Sequence, residues 1–242
     1  MDLAGKNVLI TGAAVRVGRA LAKAVAEVGA TVIIHYGSSE KEANALHEEF
    51  AGEGKQSHLI QTDLSRLDNV SELVKRALRF GPLYALVNSA AIFENLNLET
   101  TNLEGWQRHL NINLTAPFLL SQAFWEARTP EAGEARIVNI LDWRALRPGA
   151  DHMPYTISKA ALAALTQSLA LAMAPKVTVN GIAFGAILPP SDGGSAADVI
   201  KKVPAGRWAD LDEVGKTLVF LLSGPSYITG EIIFLDGGRH LV

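Results

Sequence analysis

The chain has 242 residues, of which 48% are hydrophobic and 19% are charged, and its net charge is −3. This composition is typical of a globular protein with a sizeable core, and the length suits one α/β domain. The weakly acidic balance offers no basic surface to nucleic acid or to an anionic membrane, so we expect neither partner.

Cysteine is absent, which excludes disulfides, a thiolate nucleophile and a cysteine metal site. The six histidines lack the spacing of metal ligands, so no metal site is predicted. The first residues lack the basic and apolar parts of a signal peptide, and no uninterrupted apolar run approaches the length of a membrane span. We therefore expect a cytoplasmic protein.

The N-terminal segment has the pattern of a nucleotide-binding unit. A short apolar run at residues 6–11 is followed by Gly12 and Gly18, and then by a helical pattern over 19–28. A second apolar run follows at residues 30–35. Strand, glycine turn and helix in this order place backbone N–H groups and a helix N-terminus against a pyrophosphate. A dinucleotide site is predicted here.

Strand-like and helical segments alternate along the rest of the chain, as in a parallel sheet covered on both faces. Strands are predicted near residues 7–11, 31–35, 57–61, 83–87, 135–141, 177–181 and 231–235. Helices are predicted near residues 17–28, 39–51, 67–79, 102–127, 154–174, 195–202 and 210–222. The expected fold is α/β, a single doubly wound Rossmann domain over residues 1–242 with a seven-stranded parallel sheet flanked by helices.

Two local features refine this prediction. Residues 39–42 have the spacing of a capping box, which supports the start of the second helix at Ser39. The least regular stretch, residues 188–195, follows the sixth strand, where ligand crevices open in such folds. We expect a substrate loop at about 188–206.

Tyr155 and Lys159 stand one helical turn apart at the start of the fifth predicted helix, behind Pro154. A phenol is a poor acid or base at neutral pH, and an adjacent ammonium favours its ionised form. We therefore expect Lys159 to lower the pKa of Tyr155 and to make it a proton donor. Asp142 directly follows the predicted strand that precedes this helix.

Together these motifs resemble the signature set of the short-chain dehydrogenase/reductase family from about Leu3 to the C-terminus. The matching residues are Thr11-Gly12, Gly18, Asp63-Leu64, the turn at 88–91, Asn113, Tyr155 and Lys159. A second set resembles the pteridine reductases and bacterial dihydromonapterin reductases within that family: Arg16, His35-Tyr36, Phe93, Asp142 and the C-terminal stretch 235–241. Asp142 stands where the family usually has a serine.

The resemblance implies a set of cofactor contacts and a relay. Asp63 would accept from the adenine amine, Asn88 would line the nicotinamide ribose, and the backbone of Ile187 would receive the carboxamide. Asn113 would order a relay water beside Lys159. The whole implied cofactor set is Gly12, Arg16, Val17, Gly18, His35, Tyr36, Ser38, Asp63, Leu64, Asn88, Ala90, Tyr155, Lys159, Gly185 and Ile187.

The end of the second strand favours NADPH over NADH. An acidic residue there would bond a ribose 2′-hydroxyl and repel a 2′-phosphate, and the segment 35–39 contains none. Arg16 lies in the neighbouring turn, where it could face either the cofactor phosphates or the substrate pocket. Ser38 and Ser39 could serve the cofactor or only the helix start.

Asp142 directs the choice of substrate. Negative charge develops on oxygen during carbonyl reduction, and an ionised Asp142 would oppose it. A carboxylate suits N–H donors, or a C=N bond whose nitrogen must be protonated, and a pterin offers both. Phe93 could stack on such a ring or be a core residue. The expected substrate contacts are Arg16, Phe93, Asp142 and Tyr155.

The sequence thus predicts an NADPH-dependent oxidoreductase that reduces a dihydropterin, with Tyr155, Lys159, Asp142 and Asn113 as its catalytic residues. A carbonyl or 3-oxoacyl reductase, or a sugar or alcohol dehydrogenase, of the same family is the alternative. A catalytically silent NADP-binding regulator is a lesser one, because the Tyr155 and Lys159 pair is intact. Family resemblance also implies a homotetramer.

Overall fold

The computed structural model describes residues 2–129, 133–189 and 196–242, and it is built around one parallel sheet. The seven strands are β1 (Asn7–Ile10), β2 (Thr31–Tyr36), β3 (Ser57–Gln61), β4 (Leu83–Asn88), β5 (Ala135–Asp142), β6 (Val177–Phe184) and β7 (Ile232–Leu235). Their spatial order is β3-β2-β1-β4-β5-β6-β7. The predicted seven-stranded parallel sheet is confirmed.

This strand order makes the fold doubly wound. The chain moves outward from β1 through β2 to β3 and then returns to the other side of β1 as β4. In such sheets a ligand crevice opens beyond the carboxyl ends of the strands, at the point where the order reverses. The loops after β1 and β4 therefore enclose the expected site.

Helices cover both faces of the sheet. They are α1 (Arg16–Glu27), α2 (Glu40–Gly52), α3 (Val70–Ala77), α4 (Leu103–Leu110), α5 (Ala116–Glu126), α6 (Met153–Met173), α7 (Ala196–Ile200) and α8 (Leu211–Ser223). Buried side chains of α1, α2 and α8 share one apolar cluster with the sheet, and those of α3, α5 and α6 share a second. Successive side chains of a strand point to opposite faces of the sheet, so alternate strand residues pack in the two apolar clusters.

Several predicted boundaries differ from the structure, three of them with a clear structural cause. The helix predicted over 102–127 is broken by a π-helical turn, Asn111–Thr115, between α4 and α5. The helix predicted over 67–79 is an α-helix only over Val70–Ala77, with a 3₁₀ turn at each end. Asp142 is the last residue of β5 rather than the first residue beyond it, because its pairing with Phe184 lengthens both strands.

The predicted capping box at Ser39 is wrong. Ser39 is the N-cap of α2, but its hydroxyl makes no capping hydrogen bond, because its backbone (φ −86°, ψ 55°) departs from the usual cap conformation. The helix start itself is close to the prediction. Residues 190–195 of the expected substrate loop lie outside the described part of the chain.

Within the described residues, α6 is the one helix long and apolar enough to cross a membrane. Half of its apolar stretch is buried in the protein, and side chains such as Leu162 and Met173 pack in the apolar clusters. An apolar helix that covers a sheet satisfies the same criteria as a membrane span, so length and composition do not separate the two here.

Candidate active site

The glycine turn between β1 and α1 needs both of its predicted glycines. Gly12 has φ +65°, and a Cβ there would lie 2.9 Å from the Cα of Ala90. A Cβ on Gly18 would lie 2.0 Å from the carbonyl oxygen of Gly12. Gly18 therefore allows α1 to pack directly on the turn, and Gly12 allows the turn to approach the loop after β4.

The first turn of α1 is open to an anion. Its N-cap, Val15, has no side chain that can cap the helix, and no acidic residue lies in the first turn. Backbone N–H groups at a helix N-terminus together with the helix dipole favour a phosphate. The donor set of this chain therefore fits the pyrophosphate of a dinucleotide.

The His35 side chain contacts the glycine turn from inside the protein and does not face the crevice. Its ring is buried, Nδ1 accepts from the Gly12 amide at 3.1 Å, and Nε2 lies 2.9 Å from the Thr62 carbonyl oxygen. Burial lowers the pKa of His35 to about 4. With both ring nitrogens engaged inside the protein, the His35 side chain cannot be the cofactor contact that the sequence predicted, and its role is structural.

One cavity of about 590 Å³ collects most of the predicted site. Its volume is in the range of small-molecule sites. The predicted residues that line it are Gly12, Arg16, Val17, Gly18, Ala90, Phe93, Asp142, Tyr155, Lys159, Gly185 and Ile187. Those that do not line it are His35, Tyr36, Ser38, Asp63, Leu64, Asn88 and Asn113. Trp143 and Trp208 also line its wall.

Two predicted cofactor contacts make internal hydrogen bonds. Asn88 at the end of β4 donates to the Asn139 side chain at 2.8 Å, so it bridges neighbouring strands, and its buried Oδ1 has no partner in the described structure. Asp63 closes its own turn by accepting from the amide and hydroxyl of Ser65. Ser65 lowers the pKa of Asp63. The Asn88 oxygen is buried without a partner although Asn88 does not line the cavity, whereas one Asp63 oxygen is occupied.

Asp142 and Tyr155 line the cavity and are hydrogen-bonded to each other. The Tyr155 hydroxyl donates to Asp142 Oδ2 at 3.0 Å, and Asp142 Oδ1 accepts from the Arg144 amide at 2.9 Å. Burial raises the pKa of Asp142 above its ordinary value, although both hydrogen bonds act to lower it. The aspartate that replaces the family's serine therefore still contacts the tyrosine hydroxyl.

The expected effect of Lys159 on Tyr155 is wrong for this structure. Burial, together with the Asp142 charge, raises the pKa of Tyr155 well above its ordinary value. Lys159 Nζ instead donates to the Ile140 carbonyl at 2.6 Å and lies 5.8 Å from the Tyr155 ring centroid. Burial lowers the pKa of Lys159 to about 8. In this state Tyr155 holds its proton firmly.

Asn113 makes its side-chain hydrogen bonds within the protein, and its role in ordering a relay water beside Lys159 stays a prediction. Its Oδ1 accepts from the Ile92 amide at 2.9 Å, and its Nδ2 donates to the Ile92 carbonyl and to Ser158 Oγ. The side chain is fully buried in the π-helical turn. Because these bonds occupy its amide, Asn113 ties the loop after β4 to α6.

Arg16 and Phe93 both face the cavity. Arg16 has φ +50° in the position of the family's middle glycine, and its Nη2 donates to the Pro189 carbonyl at 3.1 Å. Phe93 is 47% exposed, stacks on His152 and meets Tyr155 edge-on at 4.6 Å. Phe93 is therefore not a core residue, and its ring is available to a flat ligand.

Sequence reasoning missed four ionisable residues of this cavity: Arg144, Asp151, His152 and Arg239. Arg144 makes a bidentate ion pair with Asp151, at 2.7 and 2.9 Å, which holds the pKa of Asp151 at about 2. His152 has φ +49° at the start of α6. Their closeness in sequence to Asp142 and Tyr155 was a signal for the first three, whereas Arg239 comes from the C-terminus.

Known proteins resemble the chain over nearly its whole length. A family model described as enoyl-(acyl carrier protein) reductase matches residues 12–240. The chain is 34% identical to 2-dehydro-3-deoxy-D-gluconate 5-dehydrogenase of Bacillus subtilis (strain 168), over 98% of this chain and 95% of that protein. It is 31% identical to a 3-oxoacyl-[acyl-carrier-protein] reductase of Synechocystis sp., over 98% and 97% of the two chains.

A solved structure has the same fold as this chain, and its sequence identity to the chain is similar to that of the relatives above. FolM alternative dihydrofolate reductase 1 from Brucella canis, complexed with NADP, superimposes with a TM-score of 0.93. The two chains are 35% identical, and the match covers 99% of this chain and 96% of that one.

Proposed function

Because the chain belongs to the short-chain dehydrogenase/reductase family, we propose that it is an NADPH-dependent reductase of a dihydropterin, which it converts to the tetrahydropterin by reducing a C=N bond. Both the family assignment and the similar structure complexed with NADP support an oxidoreductase that uses NADP. That structure is an alternative dihydrofolate reductase, which supports a pterin as the acceptor.

The hydrogen bond from Tyr155 to Asp142 carries the proposal. It joins two acids that line the cavity, and burial raises the pKa of both. A carboxyl whose pKa is raised by burial keeps its proton to higher pH and can act as a general acid, and in its ionised form it accepts the N–H donors of a pterin. A carbonyl acceptor requires only donors at this point, and Asp142 meets that need less well than serine.

The chain has a place for each part of the reaction. Bound NADPH supplies the hydride, and the open first turn of α1, Asn88 and Lys159 are the groups that would hold it. Tyr155 would pass its proton to the acceptor nitrogen when Asp142 is protonated, because protonation removes the Asp142 charge that raises the pKa of Tyr155. Asp142 would then return a proton to Tyr155 through the shared hydrogen bond. Phe93 offers its exposed ring beside Tyr155 to the flat acceptor.

A carbonyl reductase remains the second candidate. It is favoured by the identity of 34% to a sugar-acid dehydrogenase and of 31% to a 3-oxoacyl reductase. In this case a protonated Asp142 would act as the hydroxyl donor that serine normally provides, and its raised pKa makes that form accessible. A silent NADP-binding regulator would need no donor pair at all.

The direct test follows NADPH oxidation with dihydrobiopterin, dihydromonapterin and dihydrofolate, beside a 3-oxoacyl thioester and a panel of sugars. We expect turnover of at least one dihydropterin and a loss of about 10²-fold or more in Tyr155→Phe, the range of general acid catalysis. Asp142→Ser should lose pterin activity and gain carbonyl activity. Turnover of carbonyls alone would replace the proposal with the second candidate, and no turnover at all would favour the regulator.

We also infer a cytoplasmic homotetramer made of single-domain subunits. Apolar side chains on α5 and α6 are exposed, namely Phe118, Ile157 and Leu171, the last being 85% exposed. Exposed apolar residues on neighbouring helices are typical of an interface between copies. Sedimentation velocity of the wild type and of Leu171→Glu tests the assembly, because the variant should dissociate.

A further inference from the structure

Arg239 lies in a 3₁₀ turn near the C-terminus, Arg239–Leu241, and lines the same cavity as Asp142 and Tyr155. Its guanidinium lies over the indole of Trp143, 4.4 Å from the ring centroid. Trp143 directly follows Asp142 in the chain. Arg239 thus lies over the residue next to Asp142, in the same cavity as Tyr155.

The acids around Arg239 are already bonded to other groups. Asp236 accepts from the amides of Gly238 and His240 and from the His240 ring, and Asp151 is held by Arg144. Asp142 accepts from Tyr155 and from the Arg144 amide. Within residues 2–129, 133–189 and 196–242, no carboxylate lies within ion-pair distance of the Arg239 guanidinium.

The turn that presents Arg239 is firmly held. Asp236 is buried, and its two carboxylate oxygens bond the turn on both sides of Arg239. The His240 ring stacks on Phe234 at 4.0 Å. A guanidinium on a fixed turn loses less conformational entropy when it binds a ligand than one on a mobile tail.

A partly buried guanidinium that has no carboxylate in ion-pair contact can take a carboxylate ligand. Burial and the positive charge of Arg144 lower the pKa of Arg239, whereas the charges of Asp142, Asp151 and Asp236 act to raise it. The planar guanidinium matches a carboxylate with two parallel hydrogen bonds. The indole covers one face of the Arg239 guanidinium and leaves its N–H edge for such a ligand.

We propose that Arg239 is a substrate-binding residue that pairs with a carboxylate on the acceptor's side chain, so that the enzyme favours acceptors with an anionic tail. The proposal rests on the proposed function, because the pterin ring is taken to lie at Tyr155 and Asp142. The residue acts on binding, so its loss should raise KM for an anionic acceptor and leave kcat unchanged.

The test measures, by calorimetric titration of the full-length enzyme with NADP present, the Kd of folate, which carries carboxylates, and of biopterin, which carries a neutral tail. In Arg239→Gln we expect the Kd of folate to rise about 10- to 100-fold, the range of a charged hydrogen-bonded contact, and that of biopterin to change less than about twofold. Arg239→Lys should lie between the wild type and Arg239→Gln.

The matched control is Arg147→Gln. Arg147 also contacts the C-terminal turn, through the His240 carbonyl at 3.1 Å, but it is exposed and does not line the cavity. It should leave both Kd values unchanged. An equal loss for both ligands, an unchanged Kd for folate in Arg239→Gln, or no binding of folate to the wild type would each overturn the proposal.

The two proposals fail separately. A folate Kd that depends on Arg239, in an enzyme that oxidises no NADPH with any dihydropterin, upholds the carboxylate site and rejects the proposed reaction. Turnover of dihydropterins with a folate Kd that is the same in Arg239→Gln upholds the reaction and rejects the carboxylate site.

Discussion

The hydroxyl of Tyr155 donates to the carboxylate of Asp142 across 3.0 Å, although burial raises the pKa of both groups. The pair therefore keeps at least one proton over a wider pH range than either group would alone in water. Lys159, which lines the same cavity, carries the opposite charge and is bonded to the Ile140 carbonyl. The ionisation of these groups is coupled, which makes their effects on stability and activity predictable in sign.

Asp142→Asn should stabilise the protein at neutral pH. The pKa of Asp142 is raised in the folded state, so its contribution to stability is present at low pH and is lost as pH rises through that pKa. Asparagine removes the buried charge and should raise Tm by about 2–4 °C for each kcal/mol recovered. Thermal unfolding at pH 3.5, below the ordinary pKa of an aspartate, and at pH 8 checks this, because the gain should be larger at pH 8.

Asp151→Asn is the control for the sign of the change in Tm, because the pKa of Asp151 is shifted in the opposite direction. Arg144 holds the pKa of Asp151 at about 2, so its stabilising effect is present above its ordinary pKa and lost only in acid. Asparagine at this half-exposed position should lower Tm modestly at neutral pH. Equal shifts at both pH values in Asp142→Asn, or stabilisation in Asp151→Asn, would contradict the assignment.

Lys159 should limit activity on the alkaline side. Its pKa is lowered to about 8 by burial, and the Asp142 charge acts to raise it. We expect kcat/KM to fall as pH rises through about 8, because the ammonium loses its proton. In Asp142→Asn the same decline should begin at lower pH, measured on the residual activity. A decline at the same pH in both enzymes would assign it to another group.

His35 should make the glycine turn sensitive to acid. Its pKa is about 4 in the folded state against 6.5 ordinarily, so stability is lost as pH falls from 6.5 toward 4, by on the order of 3 kcal/mol. A proton on Nδ1 would also face the Gly12 amide and weaken NADP binding. In His35→Asn the unfolding free energy and the Kd of NADP should both change less between pH 7 and pH 4.5 than in the wild type. Urea unfolding and NADP titrations at the two pH values measure this. Parallel pH curves for the two proteins would refute this.

The fold was predictable because each element carries a local signal. Apolar runs such as residues 135–141 are long enough to mark a strand buried on both faces. The turn after β1 leaves no room for a side chain at position 18, so a glycine there marks the turn. The failed predictions concern hydrogen bonds. Ser39 has the right spacing for a capping box, yet its backbone angles remove the bond.

The site was only partly predictable because electrostatics depends on contacts between distant segments. The spacing of Tyr155 and Lys159 suggested a lowered tyrosine pKa, but the hydroxyl bonds to Asp142 on β5, which reverses the direction. Asn113 was recognisable by its resemblance to a family motif, whereas its partners Ile92 and Ser158 could be found only in three dimensions. Arg239 had no sequence signal of binding at all.

Arg16→Gly should separate backbone strain from function. Arg16 has φ +50°, a left-handed conformation that costs a non-glycine residue about 1 kcal/mol or more. Glycine relieves this strain but adds about 0.5–1 kcal/mol of chain entropy to the unfolded state, so the unfolding free energy should change little. Arg16→Ala keeps the strained backbone without the guanidinium, and it should be the less stable of the two variants.

Both Arg16 variants should lose acceptor binding to the same extent. The guanidinium lines the cavity and donates to the Pro189 carbonyl, so its loss opens the wall beside the acceptor. We expect KM for the dihydropterin to rise about tenfold in each variant, the value of one charged hydrogen bond, with KM for NADPH unchanged. If KM for NADPH rose instead, Arg16 would serve the cofactor phosphates, and the cavity wall would have to be formed without it.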